Sequence, residues 1–280
     1  MMGSAGTRTI VVASIAAMIL AGCAAPEAER SGWNDGEPAM DSVAPVLPSL
    51  REGAVLILSK TNGFRHDHIP TSNAALEEIA SELGRDAFVT ENAAVMNPAL
   101  LSRFDVVVLN STSGTIFTTE QEAALRDWIE RGGGIVLLHG AGGDGSYSSR
   151  WYEEDLLGAV FIGHPGGADQ FQQGRLDIED QAHPVVSGLP DPWLRTEEWY
   201  AFDKPVSGPQ TRILATLDEA SYRAPESQRM GALHPMIWTR CLDKGRAVFS
   251  ALGHLKESYA KPLHRRLIAN AITWAGGDPC

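Results

Sequence analysis

The sequence holds eight histidines in 280 residues, and several of them follow directly on apolar runs. His66 and His68 close the stretch Thr61 to His68 behind the run Ala54–Ser59, His139 ends Ile135–His139, and His254 follows Ala247–Leu252. Imidazole changes charge near neutral pH and ligates transition metals, so such a set suits acid–base or metal chemistry. The His66-x-His68 spacing is that of a metal pair, but a loop gives it no fixed geometry, and a structural role stays open. Glu197-Glu198-Trp199-Tyr200 sets adjacent carboxylates beside aromatics, which fits acid–base work on a stacked sugar. It fits equally an edge strand with one solvated face. Gly140–Gly145 could form an anion-binding nest, yet it matches neither the P-loop nor the dinucleotide fingerprint. No Cys or Ser stands between His139 and Gly143, where a strand-to-helix elbow would present a nucleophile, so covalent catalysis is disfavoured. His183-Pro184 and His234-Pro235 read as turns, and His264 as a surface helix position.

The elements that must position these groups are legible from periodicity. Ala54–Ser59, Ala87–Thr90, Phe104–Leu109 and Ile135–His139 are short apolar runs, as expected of parallel strands buried on both faces. Thr71–Leu83 carries apolar residues at helical spacing and stops at Gly84. Asn97-Pro98 opens a short helix, and Thr118 with Gln121 forms a capping box for a helix to Arg131. The later half is more β-like, with Gly174–Ile178, Thr211–Leu217, Met236–Thr239 and Ala247–Leu252, and closes on a helix over Pro262–Trp274. Alternating strands and helices predict an α/β fold with right-handed crossovers and a parallel sheet wrapped on both faces. Ligands of such sheets bind beyond the carboxyl ends of the strands, where the histidines stand.

Apolar residues make up 44% and charged residues 21% of the chain, an ordinary globular balance. One domain over 53–277 is expected. The net charge of −12 leaves nothing to replace a nucleic acid's counterions, so nucleic acid is not an expected partner. At the N-terminus, Arg8 precedes an apolar run from Ile10 to Ala21, and Leu20-Ala21-Gly22-Cys23 resembles a bacterial lipobox. Residues 1–22 are therefore read as a signal peptide, Cys23 as a lipidated anchor to a membrane, and 23–52 as a flexible tether. That puts the domain in the cell envelope, on the extracytoplasmic side. Cys241 and Cys280 fall in a compartment that permits disulfides; whether they pair is left open.

Lys60–Pro70, Leu138–Ala141, Gly163–Pro165, His183–Pro190, Glu197–Tyr200, Gly245–His254 and Ile272–Ala275 together resemble the successive signatures of the ThuA-like (trehalose-utilisation) family, over about residues 54 to 276. The resemblance implies a flavodoxin-like, class I glutamine amidotransferase-like three-layer sandwich with a mostly parallel central sheet and no nucleophilic cysteine. It implies bacterial carbohydrate use, including trehalose and sugars oxidised at C3. The matching polar positions are Arg65, His66, His139, His164, Glu198, Tyr200 and His254. His68 stands where a small hydroxyl residue is common, so a His66/His68 metal pair would not be a family trait. Glu197 stands where Asp is frequent, which favours Glu198 as the working carboxylate.

The expected function is a lipid-anchored carbohydrate-active enzyme working by acid–base chemistry on a disaccharide or 3-keto-glycoside. His66, His139 and Glu198 would be catalytic, and Arg65, His164, Tyr200 and His254 would bind substrate. No cofactor is expected. One rival is a divalent-metal hydrolase using His66, His139 and His164. Another is a non-catalytic sugar-binding or scaffolding lipoprotein that stacks its ligand on Trp151, Trp193 or Trp199.

Overall fold

The structure, a computed structural model, describes residues 1–3, 32–34, 36–144 and 149–280. Cys23 and nearly all of the expected signal peptide lie outside the described residues. In chain order the elements are β1 (Gly32–Trp33), β2 (Ala54–Leu58), β3 (Phe64–Arg65), α1 (Ile69–Glu82), β4 (Ala87–Thr90), α2 (Pro98–Leu101), β5 (Phe104–Asn110), α3 (Thr119–Glu130) and β6 (Gly134–Leu138). There follow β7 (Phe161–Gly163), β8 (Phe171–Ile178), β9 (Trp193–Glu198), β10 (Ala201–Phe202), β11 (Thr211–Leu217), β12 (Pro235–Leu242), β13 (Gly245–Ser250) and α4 (Pro262–Ala275).

One nine-stranded sheet runs β4-β2-β5-β6-β13-β12-β11-β8-β9. The first five are parallel neighbours, and the pairings from β13 to β9 are all antiparallel. Only β12 and β8 therefore oppose the rest, and nine minus two leaves seven strands whose carboxyl ends share one edge. The mostly parallel sheet expected of the sequence is present. Its central strands are apolar throughout because both faces are covered: Ala54 to Leu58 and Val106 to Leu109 have no exposed surface. The step from β2 to β4 runs one way along the sheet and that from β5 to β6 the other, so right-handed crossovers place α1 and α3 on opposite faces. α4 lies beside α1, which completes three layers.

Local chemistry fixes the element ends. The predicted capping box holds α3: Thr118 N–H donates to Gln121 Oε1 (3.0 Å) and Gln121 N–H to Thr118 Oγ1 (3.3 Å). Asn97 caps α2 through the Leu100 amide at 3.0 Å.

The segment before β2 departs from the expected tether. Its described part lies along the domain, where Asp41 pairs with Lys60 (2.9 Å) and accepts the Ala93 amide (2.8 Å). Gln121 Nε2 donates to Asp41 O at 2.7 Å, and Leu47 and Leu50 pack on the core. β1 pairs antiparallel with β3. Composition suggested a solvated linker because Ala, Pro, Glu and Gly carry no periodicity; its anchors are backbone groups, one carboxylate and two leucines. Cys241 and Cys280 form a disulfide, which ties the last residue to β12. Among the described residues no helix is long and apolar enough to cross a membrane.

Candidate functional site

The common strand edge collects the chemistry. His66 leaves β3, His139 follows β6, His254 lies four residues beyond β13, and Glu198 is the last residue of β9. β9 stands five places from β6 in the sheet, which in a flat sheet would be about 24 Å. Yet Glu198 Oε2 lies 3.6 Å from His139 Nε2. Two register shifts in β11 add local twist, and β8 pairs with β11 only through Leu176–Ile178. The other half of β8 pairs with β9 alone, and this ribbon folds over the strand ends and delivers Glu198 to the histidines.

His139 occupies the elbow itself, with φ of +46°, a left-handed conformation uncommon for residues other than glycine. It stands where a hydrolase of this topology would present its nucleophile. The glycines behind it allow close packing: a Cβ on Gly140 would meet the His66 ring at 3.0 Å, and one on Gly143 would collide with the Tyr200 ring. The run Gly140–Gly143 therefore makes room for aromatic rings, in place of the anion nest that its sequence allowed.

The polar contacts are dense. A carbonyl can only accept, so His139 Nδ1 carries its proton toward Ala251 O (2.8 Å) and Nε2 offers a lone pair. Tyr200 OH donates to that Nε2 at 2.9 Å, and His254 Nδ1 lies 3.1 Å from it. His254 Nδ1 also donates to Glu198 Oε2 at 2.9 Å. Glu198 Oε1 accepts Gln170 Nε2 (2.7 Å) and lies 3.3 Å from His164 Nε2. His66 Nδ1 is buried and has no hydrogen-bond partner among the described residues. His66, His139, His254 and Glu198 each bring a ligand-capable atom into a group spanning no more than 4.8 Å.

Burial sets the protonation states. It pushes His66 down to about 3, with the neighbouring His254 acting in the same sense, and takes His139 well below its ordinary value. Burial alone would raise Glu198, but the hydrogen bond and charge of His254, then His164 and Gln170, hold it below the usual carboxylate range. Tyr200 is pushed well up by burial and by Glu198. At neutral pH His66 and His139 are thus neutral, Glu198 is a carboxylate and Tyr200 a protonated phenol. It opens into a cavity of about 300 Å³ walled by His66, His164, Glu198, Tyr200 and His254, with Trp33 and Phe64 at its rim. His139 is wholly buried behind them.

Six of the seven predicted site residues meet here: His66, His139, His164, Glu198, Tyr200 and His254. Arg65 does not. Adjacent residues of a strand face opposite ways, so where Phe64 lines the cavity Arg65 turns outward to Glu91 (2.7 Å). His68 is excluded as a ligand because Ser72 and Ser111 engage both its nitrogens, at 3.2 and 3.1 Å. His264 is buried against Arg195 (3.3 Å), not at the surface. His234 is buried between Tyr200 O and Glu219, and so fixes the loop that carries Tyr200. Trp151, Trp193 and Trp199 are all buried, which removes the stacking surface proposed for them. Sequence reasoning missed Gln170, Phe64 and Trp33: Phe64 lies inside the Lys60–Pro70 motif, Gln170 five residues beyond Gly163–Pro165, and Trp33 within the expected tether.

A three-layer α/β sandwich with an imidazole–carboxylate cluster at the strand ends, and a histidine directly after β6, defines a domain of amidotransferase-like fold. The sequence profile of the ThuA family, described as trehalose utilisation, matches residues 54–275. The chain belongs to that family. A ThuA-like protein from Bacteroides uniformis is similar over 83% of this chain and 94% of its own, with 19% identity and a TM-score of 0.66. One from Parabacteroides merdae is similar over 81% and 90%, with 21% identity and a TM-score of 0.60. A β-galactosidase from Rahnella shares the fold over 30% of its own length and 78% of this chain, with 15% identity and a TM-score of 0.51. No curated protein matches the chain in sequence.

Proposed function

We propose that this chain is an envelope-anchored, carbohydrate-active enzyme that acts by acid–base chemistry on a disaccharide or 3-keto-glycoside. The observation that carries the reading is the company of Glu198: an anionic carboxylate beside the imidazoles of His139, His164 and His254 and near a protonated Tyr200, on the wall of a cavity of about 300 Å³. Bases beside one weak acid suit removal of a proton from a sugar hydroxyl, or from the carbon next to a ketone, with Tyr200 stabilising the oxygen that gains charge. Hydrolysis by a pair of free carboxylates fits less well, because the second carboxylate at the cavity, Asp144, accepts the Gly114 amide. The family's description supports a sugar substrate. So does the edge-to-face pair Trp33–Phe64, with ring centres 5.6 Å apart at the rim, an aromatic surface on which a pyranose could stack. The Cys241–Cys280 bridge supports an oxidising compartment, in keeping with the lipobox-like Cys23.

The test is turnover of trehalose, maltose and their 3-keto forms by the full chain, followed by NMR. Glu198→Gln should cost at least about 100-fold, within the range of a positioned acid–base group. Binding of these sugars with no turnover of any of them would overturn the reading.

A further inference from the structure

The donors at the strand ends are packed more densely than the transfer of one substrate proton requires. We propose that His66, His139, His254 and Glu198 together hold one divalent transition-metal ion, whose binding moves the His254 proton from Nδ1 to Nε2 and displaces the Tyr200 hydroxyl from His139 Nε2. The inference rests on the reading of this cluster as the reaction centre, and it makes the three imidazoles ligands instead of proton carriers.

Spacing is the first argument. Donors about 2.1 Å from a shared tetrahedral ion lie about 3.4 Å from one another. Here the separations are 2.9 Å for His254 Nδ1 to Glu198 Oε2, 3.1 Å for His254 Nδ1 to His139 Nε2, and 3.6 Å for His139 Nε2 to Glu198 Oε2. All four donors lie within 4.8 Å of one another.

The outer contacts are the second. A ligating histidine commonly donates its other N–H to a backbone carbonyl, which fixes the tautomer; His139 does this at Ala251 O, 2.8 Å away. Gln170 occupies Glu198 Oε1 at 2.7 Å and so turns Oε2 toward the imidazoles. A proton relay would explain the contacts of Tyr200, His139 and His254. It leaves His66 Nδ1 buried without a partner among the described residues, and an orphaned polar atom of that kind asks for an occupant.

Three imidazoles and one carboxylate select zinc, cobalt, iron, nickel or manganese over calcium or magnesium, which favour oxygen donors. Bound there, such an ion would polarise a sugar oxygen entering from the cavity.

The experiment uses the untagged full chain, stripped with a chelator, dialysed and titrated with Zn²⁺, Co²⁺ and Mn²⁺ by calorimetry, with metal content measured on the same samples. One ion per chain is expected, together with ligand-field absorption from the cobalt form. Affinity should fall about 10- to 100-fold or more in His254→Ala and in Glu198→Gln, and stay unchanged in Arg65→Ala. Circular dichroism checks that each variant is folded. Failure to bind any of the three ions, or affinities unmoved by both cluster substitutions, overturns the proposal. Metal bound without sugar turnover upholds the site and removes the enzyme reading. Full turnover in stripped protein removes the metal from the reaction and leaves the acid–base reading standing.

Discussion

Glu197 and Glu198 adjoin in the chain, and their carboxylates serve opposite faces of β9. Glu197 is locked to Arg195, accepts Ser258 Oγ at 3.1 Å and receives the Gly253 amide at 3.3 Å. Glu198 faces the cavity. Strand alternation thus assigns one acid to holding the backbone beside His254 and the other to chemistry.

The two acids should fail differently. Glu198→Gln is expected to abolish turnover with little change in the denaturation midpoint. Glu197→Ala strands a buried guanidinium and should destabilise the fold by about 3–5 kcal/mol. Paired denaturant and activity curves check both; equal stability losses would contradict the division of labour.

Acid should weaken the fold beginning near pH 6.5. Burial holds His68 and His264 well below their ordinary value of 6.5, so the unfolded chain binds protons below that pH which the native state refuses. Stability is fully present above 6.5 and falls as pH drops, by up to about 1.4 kcal/mol per pH unit for each imidazole. Denaturant midpoints between pH 5 and 8, taken in chelator, should show this slope, and His264→Gln should flatten it by about one proton.

Reduction should loosen the C-terminus. The Cys241–Cys280 bridge closes a loop with a separation of 39 residues, which corresponds to about 3–4 kcal/mol of denatured-state entropy. Cys280→Ser should lower stability by that order, and a reductant should affect the wild type but not the variant.

Trp33→Ala should raise KM for a sugar about 2- to 10-fold and leave kcat unchanged, the loss expected of one aromatic platform. Trp33 is 68% exposed, so its removal should not move the melting temperature; a fall in kcat alone would contradict a binding role.

The strands and the histidines at their ends were readable because apolar runs and the carboxyl-end rule both act locally. Arg65 was misread because a two-residue strand has no periodic signature, and its partner strand lies in a segment whose composition looks disordered. His264 had a signal that its polarity obscured: it stands three and four residues before Leu267 and Ile268, on the buried stripe of α4. The meeting of Glu198 with His139 was legible only through the family resemblance and not from periodicity, since it depends on twist accumulated across the five strand pairings from β6 to β9.

β1 is at once the rim of the cavity and the first described stretch after Cys23. Only eight residues lie between Cys23 and Gly32, so the two are at most about 32 Å apart when the chain is fully extended. With a lipid on Cys23, the mouth of the site could never stand further than that from the bilayer. A disaccharide would diffuse freely into such a gap, whereas a polysaccharide would have to thread it edge-on. Lengthening the linker should therefore leave small sugars unaffected and admit longer ones, and the anchor would act as a size filter before any side chain touches the substrate.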